Sequence, residues 1–95
     1  MNYLEKLGFT QEEIIEFAQN IPENLKKVLT KEEALVSANI NFLHELGINN
    51  YKEIFITYYD MFLMDSSKFQ EVFNKYDQED LIDKLNKNMT IIEYL

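Results

Sequence analysis

Residues Phe9–Pro22, FTQEEIIEFAQNIP, and residues Tyr76–Met89, YDQEDLIDKLNKNM, carry one pattern twice in a chain of 95 residues. Each runs aromatic, cap residue, Gln, acid, acid, two aliphatics and a further acid, in that order. Thr10 followed by Glu13 is a capping box, in which the hydroxyl accepts from the third backbone N–H and the glutamate reaches back to the cap. Asp77 followed by Asp80 is a looser form of the same signal, a good cap residue with an acid that the helix dipole favours. The aliphatic pairs then open stripes at helical spacing: Ile14, Phe17, Ala18 and Ile21 in one, Leu81, Ile82, Leu85 and Met89 in the other. The repeated stretch is therefore a capped amphipathic helix used at both ends of the chain.

The same reading extends outward. Thr30 with Glu33 and Thr90 with Glu93 are further capping boxes, and Asn50 with Glu53 is a weaker one. Gly8 and Gly47 each follow a leucine, where a helix ends in left-handed geometry, and Pro22 suits the first turn of a new short helix. Phe69, Val72, Phe73 and Tyr76 form a stripe at i, i+3, i+4 and i+7. A helix over 31–46 has two stripes, Leu35–Ala38–Phe42–Leu46 and Val36–Ile40–Leu43, which predicts packing on two sides at the centre of the domain. Ile54–Met64 is apolar nearly all round and is expected to lie deep. No alternating strand pattern occurs, so the chain reads as all-α, a single domain over 1–95. Helix, cap, helix and short helix recur over 2–29, 31–65 and 66–95, with Thr10, Asn50 and Asp77 opening the second helix of each unit. Units of roughly thirty residues that cannot bury their own apolar faces stack on one another.

Leu7-Gly8-Phe9, Ile14-Ile15 and Ile21-Pro22 followed by Leu25, then Phe42-Leu43, Leu46-Gly47-Ile48, Ile54 and Phe62-Leu63, resemble the mitochondrial transcription termination factor (mTERF) repeat. The resemblance implies a compact, curved stack of about three units, each two helices and a short 3₁₀ turn. It also implies nucleic-acid binding on a basic surface. The positions matched are packing residues, and no basic position of that surface has a counterpart here.

Composition bounds the function. Seventeen acids face nine lysines, with no arginine, for a net charge of −8. Residues 1–47 carry four Lys and eight acids, residues 48–95 five and nine, so the average hides no basic tail. Affinity for phosphates comes mainly from Lys and Arg, and the long-range field here has the opposite sign, so direct nucleic-acid binding is not expected. Lys26, Lys27 and Lys31, the nearest thing to a basic cluster, sit among Glu23, Glu32 and Glu33. There is no cysteine, so neither disulfides nor thiolate zinc can brace the fold. The longest strictly apolar run, Met61–Met64, is far short of a membrane span, and the start MNYLEKLGF has an acid where a signal sequence is apolar. The expectation is a cytoplasmic protein.

Signals for catalysis and cofactors are missing. His44 is the only histidine, and HELGI lacks the second histidine of a zinc-protease helix. Gly8 and Gly47 are the only glycines, too few for a phosphate loop, and DQED at Asp77–Asp80 lacks calcium-loop spacing. No enzyme, cofactor or metal is expected. Two features remain as candidate partner-binding residues. One is the set of acids matched between units, Glu12 with Glu79, Glu13 with Asp80 and Glu16 with Asp83, with Glu53 from the middle unit. The other is the stretch ITYYDMFLM at Ile56–Met64, mostly core, with Tyr58 and Tyr59 as its exposed members. The reading is a small acidic protein that binds another protein, one with a basic surface. The alternative is an inhibitor that imitates spaced phosphates to block a nuclease or other nucleic-acid-handling enzyme. Small acidic phage or mobile-element proteins, some anti-CRISPR proteins among them, supply that analogy of charge and size.

Overall fold

The local signals at the repeated stretch are realised in the computed structural model, which describes all residues from Met1 to Leu95. The chain forms six α-helices and three 3₁₀ helices and no strand. In order these are η1 (Asn2–Leu7), α1 (Gln11–Gln19), α2 (Glu23–Lys31), α3 (Glu33–Leu46), α4 (Tyr51–Thr57), η2 (Tyr59–Leu63), α5 (Ser66–Asn74), α6 (Gln78–Lys87) and η3 (Met89–Tyr94). Thr10 and Glu13 complete the capping box at α1, with the Glu13 N–H 3.1 Å from Thr10 Oγ1 and the Thr10 N–H 2.8 Å from Glu13 Oε1. Asp77 caps α6 by accepting from the Asp80 N–H. Gly8 and Gly47 end η1 and α3 with φ of 98° and 101°.

Three expected caps are not formed, each because a nearer or better partner is present. Thr30 lies inside α2 and donates to the Lys26 carbonyl at 2.8 Å, so the helix expected over 31–46 begins instead at Glu33 after a break at Glu32. Thr90 is not a cap, because Asn88 precedes η3 and accepts from the Thr90 N–H. Asn50 opens α4 without capping it; its amide donates across the molecule to the Leu85 carbonyl at 2.9 Å.

Helix α3 is the central element and touches η1, α2, α4, η2 and α5. Its stripe Val36–Ile40–Leu43 is fully buried. The second stripe is shallower than expected: Leu35, Phe42 and Leu46 are half-buried and Ala38 is exposed. Fully buried Asn39 takes the central place instead, its amide donating to the carbonyls of Phe62 and Met64 at 3.0 Å each. That side chain stitches η2 to α3 by satisfying backbone groups that no helix partner reaches. At the other flank the Tyr3 hydroxyl donates to the Leu29 carbonyl at 2.7 Å, and burial, with Glu33 nearby, pushes its pKa up to about 12.

All seven phenylalanines belong to one connected set of rings. Phe55 is the node, with centroids 5.7 Å from Phe9, 5.1 Å from Phe17 and 5.2 Å from Phe62. The chain of rings continues from Phe62 to Phe69 at 5.1 Å and from Phe69 to Phe73 at 5.1 Å, and Phe42 lies 6.2 and 5.9 Å from that last pair. These tilted and edge-to-face pairs add about 0.5–1.5 kcal/mol each beyond area burial. The expected depth of Ile54–Met64 holds for Ile54, Phe55 and Phe62, which are fully buried, while Ile56, Tyr58, Tyr59 and Met61 are half-buried around them.

η1 and α5 lie on α3, while α4 touches α1 through Phe55–Phe17 and is tied to α6 through Asn50. The turns carrying the two glycines are held in similar ways. Lys52 Nζ donates to the Gly8 carbonyl at 3.1 Å, and Asn86 Nδ2 donates to the Gly47 carbonyl at 3.2 Å. The Tyr51 hydroxyl adds a bond to the Leu7 carbonyl at 2.8 Å, and the His44 ring stacks on Tyr51 at 4.5 Å.

Phe55→Ala is expected to lower unfolding free energy in urea by about 3–5 kcal/mol, the usual cost of emptying a core phenylalanine site. Both glycines resist a side chain, but unequally. A Cβ on Gly47 meets only Ile82 methyls at 3.9 and 4.0 Å, whereas a Cβ on Gly8 stands 2.6 Å from the Tyr51 hydroxyl. Gly47→Ala is expected to cost about 1 kcal/mol from left-handed strain alone. Gly8→Ala is expected to cost about 1–2 kcal/mol more, because the Tyr51–Leu7 bond must break. In a Tyr51→Phe background that excess disappears.

Candidate functional site

Helix α1 turns one flank toward α4 and η2, and a groove of about 270 Å³ opens along the seam. At about 100° per residue, Glu13, Glu16, Phe17 and Asn20 fall on that flank of α1. The floor is apolar: Phe17 and Tyr59 meet edge to face at 5.5 Å, with Ile21 buried beside them and half-buried Ile56 opposite. The rim is polar and negative, formed by Glu13, Glu16 and Asn20, whose amide donates to the Glu16 carbonyl at 2.7 Å. Three of the candidate residues, Glu13, Glu16 and Tyr59, thus come together in one place.

The two groove glutamates differ in what they are free to do. Glu13 is committed: Lys52 Nζ lies 3.2 Å from its Oε1, and the same carboxylate completes the α1 cap. The Thr10 backbone bond, and after it Lys52, hold its pKa below the ordinary glutamate range. Lys52 also lies 5.8 Å from the Phe9 ring centroid, so its cation is shared among a carboxylate, a carbonyl and an aromatic face. Glu16 is exposed and takes part in none of the four ion pairs of the molecule. Its negative charge is available to an incoming cation whose aliphatic stem lies on Phe17, Ile56 and Tyr59.

The other candidates sit elsewhere. Asp80 pairs with Lys84 at 2.9 Å and Asp83 with Lys87 at 3.0 Å, both along the exposed side of α6. Such i,i+4 pairs give a helix weak local support, which gives Asp83 a local role. Glu12 projects from α1 opposite Ile14 and Phe17, Glu16 lies at the outer edge of the groove flank, Glu53 projects from α4 opposite its buried side, and Glu79 and Asp83 do the same on α6. Five acids therefore mark the outward faces of α1, α4 and α6. Tyr58 is half-buried and its hydroxyl donates to the Glu93 carboxylate, tying η2 to η3, so it is less open than the sequence suggested. No three His, Asp or Glu side chains converge where a metal ion would sit, and no helix is long and apolar enough to cross a membrane.

Sequence reasoning missed Phe17, Asn20, Ile21 and Ile56 as groove residues. The α1 half was findable, because positions 13, 16, 17 and 20 share one helix flank. The Ile56–Tyr59 half depends on how α4 and η2 cross that flank. A scan against protein-family models, a search of curated proteins and a search of solved structures each found no match.

The Glu13 contacts stabilise the folded state only while its carboxylate is charged. With the folded pKa lowered, that contribution is present above the ordinary value of 4.5 and is lost as pH falls through the folded value. Glu13→Gln is therefore expected to destabilise the protein at pH 7, with the difference from the wild type shrinking as pH is lowered below 4.5, as read by urea unfolding across that range.

Proposed function

We propose that the chain is a stack of three quasi-equivalent units that serves as a small acidic, non-enzymatic protein-binding module. Its groove between α1 and α4–η2 receives a basic side chain of a partner protein. The glycine turns at Gly8 and Gly47, each bonded by a side chain of the following unit, support the stack. The observation that carries the binding reading is the groove itself: an aromatic and aliphatic floor with an unpaired carboxylate, Glu16, on its rim. An aromatic floor that an incoming side chain can bury, ringed by polar groups, matches the anchor-and-rim composition of interfaces. The net charge of −8 steers a basic partner toward it and repels nucleic acid. The mTERF resemblance bears on the stack alone; of the lysines on α2, Lys26 is already paired with Glu23 at 2.9 Å.

A second reading draws on a different observation, the outward acids Glu12, Glu16, Glu53, Glu79 and Asp83 on three neighbouring helices. In that reading the row imitates spaced phosphates and occupies the nucleic-acid channel of an enzyme.

The two readings separate by which charges matter. With the protein as bait in lysate of its native host, the expected catch is a basic protein, and Glu16→Lys is expected to weaken its retention about tenfold or more. Glu79→Lys and Asp83→Lys are expected to leave that retention unchanged. Loss of binding on reversal at Glu79 and Asp83, with nucleic acid competing for the partner, favours mimicry instead. Direct binding of duplex or single-stranded nucleic acid with a steep salt dependence would sink both.

A further inference from the structure

We infer that the basic side chain received by the α1–α4 groove is an arginine, its guanidinium bridging Glu16 and Asn20. The inference rests on the reading of that groove as a seat for a partner's cation and names which cation the rim fits. Lysine and arginine differ in shape and in hydration. An ammonium is a compact, strongly hydrated point charge, whereas a guanidinium is a planar, weakly hydrated fork of N–H donors that matches a carboxylate with two parallel bonds.

Position along α1 selects the seat. Glu13, Glu16 and Asn20 stand at i, i+3 and i+7 on the groove side, so the rim runs about 10 Å along the helix axis. The Glu13 end is closed to a further cation. Its Oε1 accepts from the Thr10 N–H and lies 3.2 Å from Lys52 Nζ, whose charge repels a second cation placed there. The other end offers acceptors. Glu16 enters none of the ion pairs, so both of its carboxylate oxygens are open to the fork. Asn20 lies one turn onward and donates its amide to the Glu16 carbonyl at 2.7 Å, which holds it beside Glu16 and leaves its Oδ1 to accept a remaining guanidinium N–H.

The floor favours the same occupant. Tyr59, Ile56 and Ile21 line it, and a cation that settles there sheds water, at a smaller cost for a guanidinium than for an ammonium. A guanidinium plane also stacks on an aromatic ring such as that of half-buried Tyr59. Tyr3, Tyr51 and Tyr58 spend their hydroxyls on Leu29, Leu7 and Glu93, whereas Tyr59 is placed by the packing of its ring on Phe17. The occupant comes from another protein. This chain contains no arginine, so neither the molecule itself nor a second copy can supply one.

NMR titration of the purified protein tests this, using short blocked alanine peptides that carry a single central arginine, lysine or citrulline, each taken to about 10 mM at low ionic strength. The arginine peptide is expected to shift the amide signals of Glu16, Phe17, Asn20 and Tyr59, and to bind about fivefold or more tighter than the lysine peptide. The citrulline peptide, which keeps the shape and loses the charge, is expected to leave those signals in place. Asn20→Ala, at an exposed helix end, is expected to narrow the gap between arginine and lysine, with circular dichroism confirming that the variant folds. A lysine peptide that binds the groove as tightly as the arginine peptide overturns the inference and leaves the basic-side-chain reading standing. Groove signals that neither charged peptide moves overturn both. A folded Asn20→Ala variant that keeps the full preference for arginine overturns the bridge and the inference with it.

Discussion

The connected phenylalanine rings are the constraint on which the rest of the structure depends. A chain of this size has little core to spare, and with no cysteine its stability comes from packing. Phe55 joins Phe9 and Phe17 on one side to Phe62 on the other, and Phe69, Phe73 and Phe42 extend the set to the last third of the chain. No helix here exceeds fourteen residues, and helices this short are marginal alone in water. The ring contacts give each short helix a partner outside its own segment. They also fix how α1 meets α4, and through that meeting they create the groove.

Charge is distributed by the same geometry. An acid on a helix flank that faces another element becomes part of the fold, as Glu13 does with Lys52. On α6 the acids Asp80 and Asp83 find lysines one turn onward in their own helix. Glu16 meets neither condition, because no lysine stands one turn away and the flank it shares with Asn20 borders a concave apolar seam. Glu12, Glu53 and Glu79 are likewise unpaired, and Glu16 differs from them in bordering that seam, a matter of neighbours rather than residue type.

Legibility of the fold followed the range of the interaction. The Thr10 and Asp77 caps and the Gly8 and Gly47 turns were readable because their partners lie within a few residues. Thr30, Thr90 and Asn50 were misread where Lys26, Asn88 and Leu85 offered other partners, the last of these 35 residues away. Asn39 gave no signal at all: a polar residue between two apolar stripes is expected to face water, and here it binds the backbone of η2 instead. Of the groove, the sequence named Glu13, Glu16 and Tyr59 as candidates without bringing them together.

The sequence by itself determined that the chain is helical, where most helices start and stop, and which faces are apolar, because caps, glycine turns and periodicity act within one or two turns of backbone. Tertiary structure alone decided which acid is paired and which is free, which apolar residue is covered, and that Phe17, Ile56 and Tyr59 share a floor. Those outcomes depend on contacts between residues some forty positions apart, and a side chain's surroundings at that range are set by how helices cross, which no local pattern encodes.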